Sequence, residues 1–205
     1  MKRPVTLAGF FARASLWFVL LALGWMQIAA WTSYPAARMA QIVLDSNALD
    51  WVQATQNVPG QLKAQTTFRQ MLPGNRVSTP IAVVEPAHAA YGTALFFALL
   101  LASRTKRFVR RAVGGYAVLL FPQAFSLIFI LLGQIVTEVP IQALGIGVWQ
   151  ADAIMVCNVF GGIILPTLAP VVLWLWLESA FVQSLMQDMG FAAMLGVDQR
   201  RGVPS

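Results

Sequence analysis

The chain has one cysteine and one histidine, Cys157 and His88. Together they are the minimum set for thiol chemistry. A thiolate nucleophile needs a base or a positive neighbour, and an imidazole can be that base. Cys157 stands in IMVCNVFGG, residues 154–162, beside Asn158, and Arg76 could supply positive charge. If His88 met Cys157, the chemistry would be acyl transfer, as in a peptidase or transpeptidase. The competing reading is packing. Cysteine is often buried as a small apolar filler, and the neighbouring Gly161-Gly162 pair suits close helix contact. A lone histidine at an interface serves as an anchor as readily as a base. The packing reading is the expectation, so no catalytic residue is assigned. One cysteine excludes an internal disulfide and a cysteine-rich metal cluster, and one histidine excludes a multi-histidine site. No phosphate-cradling glycine loop, HExxH or GxSxG occurs. No cofactor or metal is expected.

The elements that hold these residues follow from composition. Of 205 residues, 58% are hydrophobic and 11% charged. Soluble domains carry about 25% charged residues, so much of this surface has to face lipid. Crossing a hydrocarbon core takes roughly 20 apolar helical residues. Four runs approach that length: 14–31, 88–103, 112–136 and 153–177. The first is too long for a secretory leader and lacks a suitable small-x-small cleavage site. Lysine and arginine favour the cytoplasmic side. With four spans, ten basic residues gather on the side of the termini and four on the other, which carries five acids. Segments 1–13, 104–111 and 178–205 are therefore expected in the cytoplasm, and 32–87 and 137–152 outside. Arg104, Lys106, Arg107, Arg110 and Arg111 form a topology anchor that touches anionic lipid headgroups. The run is short and pinned to the membrane, so nucleic-acid binding is not expected.

Within the spans, Gln27, Gln123, Gln134 and Asn158 are read as polar contacts between helices or with a partner. No acid or base lies mid-span, which argues against a proton-coupled pump. Pro122, Pro166 and Pro170 should kink spans three and four, and the last two shape either packing or a groove. In the outer segment, a helix begins at YPAARMAQIVLD with Ala36, Met39, Ala40 and Val43 on one face, and ALDWVQAT continues it until Asn57, Pro59 and Gly60 break it. A β-hairpin follows: 62–68, with Leu62, Ala64, Thr66 and Phe68 on one side, turns at LPGNR into 77–83, with Val77, Thr79, Ile81 and Val83 in register. A lone hairpin is marginal in water, so it should lean on the helix, the membrane or a partner. Pro80 indicates an edge position. The tail, 181–195, puts Phe181, Leu185 and Met189 on one face, as a surface-lying helix or as the end of span four.

Several stretches then stand together: YGTALFFALLLASR, a basic turn, LLFPQAFSLIFILLGQI, LPTLAPVVLWLWLESAF, and a β-like PIAVVEPAHAAYG before the Tyr-Gly. In these the chain resembles the exosortase H-associated membrane protein family. The resemblance implies a companion of a bacterial inner-membrane cysteine enzyme that processes proteins carrying a C-terminal sorting signal of a short motif, one span and a basic end. Exosortases place Cys, Arg and His in that order. Here His88 precedes Cys157 and no arginine follows it in span four. The expectation is an all-α, four-span inner-membrane protein with both termini cytoplasmic and a small outer helix-plus-hairpin segment. It would act as a non-enzymatic accessory protein whose partner is an exosortase-like enzyme or its substrate. The alternatives are an outer-face cysteine transpeptidase and a structural subunit of a secretion or conjugation complex.

Overall fold

The computed structural model describes residues 7–46, 51–72, 76–104 and 107–188. Most of them are helical. Helix α1, Leu7–Thr32, bends at Ser33 into α2, Tyr34–Ser46. Five strands follow: β1 Val52–Val58, β2 Gln61–Thr66, β3 Gln70–Leu72, β4 Arg76–Ser78 and β5 Ile81–Val84. Next come α3 Pro86–Ala90, α4 Gly92–Ala102, α5 Phe108–Glu138, α6 Ile141–Leu144 and α7 Val148–Val159. A π-turn, Phe160–Ile164, joins α7 to α8, Leu165–Leu177, and α9, Ser179–Asp188, ends the described chain.

Three helical stretches are long and apolar enough to cross a membrane: Leu7–Ser46, Phe108–Glu138 and Val148–Leu177. The expected second span is different in kind. Pro86–Ala102 is apolar but falls among the shorter helices, and Tyr91 interrupts it. At about 1.5 Å per residue it reaches roughly 26 Å, short of a core near 30 Å. Its sequence is apolar all round, the pattern of a buried helix. Thr93, Ala94, Phe96, Ala98, Leu100 and Ala102 are buried accordingly, and α4 packs on α1 and α8 with α5 beside it.

The outer segment corrects one expectation. Residues 52–58 do not continue the α2 helix. They form β1, which pairs antiparallel with β2 across Pro59-Gly60. Pro59 suits the first corner of such a turn, and Gly60, at φ +86°, takes the second, where positive φ is required. Cross-strand pairing outweighs the helical reading of VQAT, because strand preference depends on context. Residues 47–50, over which the helix was also expected to run, lie outside the described residues, as does the Pro73-Gly74-Asn75 turn. β2 does pair with β5, as the expected hairpin requires, but LPGNR does not join them directly. β3 and β4 make a separate two-stranded ladder in between.

The ladder also decides which face of β5 is buried. Leu62 pairs with Val84 and Ala64 with Ala82, so Ala82 and Val84 share the buried face of Leu62, Ala64 and Thr66. Ile81 and Val83 face outward. A one-residue difference in register inverts every side chain of a strand. β5 is an edge strand, and the carbonyl of Pro80 just before it accepts bonds from the Thr66 amide and hydroxyl.

Two cores result. In one, the sheet lays Leu62, Ala64, Ala82 and Val84 on Ala36, Ala37, Ala40 and Leu44 of α2 and on Leu127, Leu131 and Ile135 of α5. Of the expected α2 face, Ala36 and Ala40 are buried, whereas Val43 is exposed. The other core joins Phe10, Phe96, Leu100, Leu173, Trp174 and Leu185 at the opposite end. There Phe10 lies 5.5 Å from both the Trp174 and the Phe181 rings, so the Phe181–Leu185 face of the tail packs on the bundle. Met189 lies outside the described residues. Arg111 and the buried Glu178 form an ion pair at this end.

Lipid supplies little hydrophobic drive between helices, so close packing has to hold them together. Gly92 makes the closest approach: a Cβ there would lie 1.9 Å from the Pro166 carbonyl oxygen. Gly92→Ala is therefore expected to destabilise the fold by about 1–3 kcal/mol. Gly24→Ala, where a Cβ meets nothing within 4 Å, should be neutral. Thermal denaturation of the detergent-solubilised variants, followed by circular dichroism, checks this. Equal midpoints for the two variants would show that the Gly92–Pro166 contact is not needed.

Candidate functional site

The thiol and the imidazole are not brought together. Cys157 is half-buried on α7. The His88 side chain, on α3, is 77% exposed and lies 3.7 Å from Glu85, one helical turn back. No hydrogen bond or ion pair joins it to Cys157. Arg76 falls on β4, and its side chain is not among those described. Among the described residues, no group of three or more His, Cys, Asp or Glu side chains could hold a metal ion.

The polar residues of the spans do more. Gln123, buried on α5, donates from Nε2 to Thr93 Oγ1 of α4 at 2.9 Å, while its Oε1 has no partner. That bond sits beside Pro166 and Pro170, both buried around Gly92. The π-turn precedes Pro166. Proline lacks an N–H, and the wider turn is one way a helix absorbs that loss; Leu165 N–H reaches back to the Phe160 carbonyl. Asn158 packs over Gly133 of α5, where a Cβ would fall 2.6 Å from Nδ2. Gln27, by contrast, is exposed on α1, and its side chain makes no hydrogen bond among the described residues.

Gln134 does bind, but its partner is a strand. Its amide accepts from the Val83 N–H at 3.0 Å and donates to the Val83 carbonyl at 3.0 Å. The side chain thus completes one rung of a ladder along the open edge of β5. An unpaired strand edge is a liability that proteins cover. Trp51 reinforces the junction by donating from Nε1 to the Leu144 carbonyl at 3.0 Å. On the other face of the sheet module, Gln41 of α2 donates to the Thr55 carbonyl and Asp45 accepts from the Thr55 hydroxyl. Trp51 and Tyr116 were not singled out from the sequence. The available signal was their type, since a large aromatic with a polar tip seeks a partner when buried.

An opening lies between α1 and α4 and is closed on one side by Tyr116 of α5. It measures about 630 Å³. Leu20, Gly24, Trp25, Ile28, Trp31 and Phe97 make its walls, with Thr93 and Tyr116 as polar points. The Trp25 Nε1 atom is buried without an acceptor. Outside this groove α1 presents Leu16, Leu23 and Met26, all more than half exposed. At the opposite end Arg104, Arg107 and Arg110 are exposed, Arg111 is held by Glu178, and Lys106 lies outside the described residues.

Gln134→Leu should lose both bonds to Val83 and cost about 1–2 kcal/mol locally. Hydrogen–deuterium exchange is expected to accelerate in peptides covering 79–85 and to stay unchanged in α5. Unaltered protection of β5 would mean that the sheet does not rely on this residue.

Comparison with known proteins places these features in a family. No curated protein and no solved structure is detectably similar to the chain. The family model for the exosortase H-associated membrane protein matches residues 4–181, which take in α1, the sheet, the proline-bearing α8 and the start of α9. The family name denotes a membrane protein that accompanies an exosortase, in keeping with an accessory role. Because the match runs through most of its length, the chain belongs to the exosortase H-associated membrane protein family.

Proposed function

We propose that this protein is a non-enzymatic accessory subunit of the bacterial inner membrane. It binds an exosortase-type enzyme, or the sorted protein that enzyme processes, through the α1–α4 groove. The observation that carries this reading is the groove itself, an apolar slot of about 630 Å³ whose buried Trp25 N–H lacks an acceptor. A transmembrane helix is the natural occupant of such a slot, and a sorting signal of the implied type includes one. The separation of His88 from Cys157 supports the non-enzymatic part.

The same reading has α4, shielded by α1, α5 and α8, complete a fourth crossing, with both termini cytoplasmic and the sheet outside. In support, Arg104, Arg107 and Arg110 cluster at one end of α5 and the sheet packs near its other end. Within a hydrocarbon core, a short helix enclosed by protein avoids the lipid mismatch that an exposed one would suffer.

The test is co-purification of the tagged protein in mild detergent from cells that express its genomic neighbourhood. Wild type should bring down an exosortase-type protein. Gly24→Phe, which fills the groove from a position with open space, should reduce the yield of partner by roughly ten-fold, as expected for about 1.4 kcal/mol of lost binding. A monodisperse, partner-free wild type would count against the proposal. Cys157→Ala should leave sorting intact in the same cells. Sorting lost with folding retained would instead favour an outer-face transpeptidase.

A further inference from the structure

At the basic end, away from the groove and the sheet, the first turns of α5 meet the last turn of α8 around a second opening of about 390 Å³. Its rim is cationic: Arg107, Arg110 and Arg111. Its floor is apolar, built from Val118, Leu173, Leu177 and the edge of Trp176. Gly114 leaves one wall bare, since a Cβ there would meet nothing within 4 Å.

The charges are not equivalent. Arg111 is paired with Glu178, whose side chain is 6% exposed, so that arginine is neutralised within the protein. Arg107 and Arg110 are exposed and have no acidic partner among the described residues. The pocket therefore offers two uncompensated guanidinium groups directly above apolar wall. The start of α5 adds the positive end of its dipole at the same place. Trp176, 72% exposed, projects beside it, as tryptophans do where hydrocarbon meets water.

From this arrangement we infer a discrete binding site for one anionic phospholipid, with its phosphodiester between Arg107 and Arg110 and the first part of its chains over Val118, Leu173 and Trp176. The occupant has to be negative at one end and apolar immediately behind it. A free anion would satisfy the arginines but leave the floor wet. A nucleic acid or an acidic peptide would set continuous charge against leucine and tryptophan. The basic run by itself implies only diffuse attraction to acidic headgroups, whereas the cavity confines that attraction to a particular set of residues. The site has a different set of lining residues from the groove and does not depend on any protein partner.

Native mass spectrometry of the full chain in mild detergent tests the site, with phosphatidylglycerol or phosphatidylcholine added at equal concentration. Wild type should retain one phosphatidylglycerol in preference to phosphatidylcholine, and inorganic phosphate should not displace it. Arg107→Gln and Arg110→Gln should each weaken retention by roughly five-fold, the scale of one arginine at an acidic surface. Gly114→Leu keeps every charge but fills the wall, and it should abolish the preference. Arg104→Gln lies in the same basic turn outside the pocket and should change nothing. Size-exclusion profiles matching wild type confirm folding, and the two arginine variants suffice if Gly114→Leu fails that check. Equal retention of the two lipids would overturn the inference. So would displacement by phosphate, an Arg104→Gln loss as large as that of Arg110→Gln, or a well-folded Gly114→Leu that still selects phosphatidylglycerol.

Discussion

The carbonyl of Thr32, left without a helical donor where α1 bends into α2, is taken by the hydroxyl of Tyr116 on α5. The same requirement recurs through the molecule. Away from water, every backbone N–H and C=O needs a partner supplied by protein, and an unmet one costs several kcal/mol. Ser126 donates to the Pro122 carbonyl, and Thr167 to the carbonyls of Ile163 and Ile164 just before and within the proline-bearing region. Gln134 covers the edge of β5. The irregular parts of this fold are tolerated because a side chain stands at each of them.

That constraint explains how a small sheet can be joined to a helical bundle. β5 alone would expose a row of backbone groups. Set against α5 it gains Gln134 as a surrogate strand, and its Ala82–Val84 face shares a core with α2. α5 thereby belongs to both cores, contributing Leu127, Leu131 and Ile135 to one and Ala112 and Leu119 to the other. A single long helix runs from the arginine pocket at its start to the sheet near its end. α1 is the contrasting element. It packs mainly on α4 and leaves most of its apolar surface uncovered.

Three of the four apolar runs, the α2 helix and the β2–β5 pairing were legible in the residues, whereas Gln134 binds a strand edge and not another helix. Apolar length and period report directly on the solvent that a segment faces. β1 was not legible, because VQATQNV has no clean alternation and becomes a strand only when β2 lies beside it. Which face of β5 is buried was not legible from β5 alone: Ile81 and Val83 share a face, but burial follows Leu62 and Ala64 across the ladder. Gln27 looked like Gln123 in sequence and proved different in place, exposed on α1 where Gln123 is buried on α5.

What the sequence determined by itself was the solvent. A chain 58% hydrophobic and 11% charged, with long apolar runs, has to turn much of its surface to lipid. What only the tertiary structure decided was which groups meet: Gln134 with a strand edge, Gly92 with the Pro166 carbonyl, Arg111 with Glu178, and Cys157 with no histidine. Hydropathy is a sum over local residues and survives any arrangement of the helices. A contact depends on the rotation and offset of one helix against another, and those are set by many small packing terms that no single segment contains.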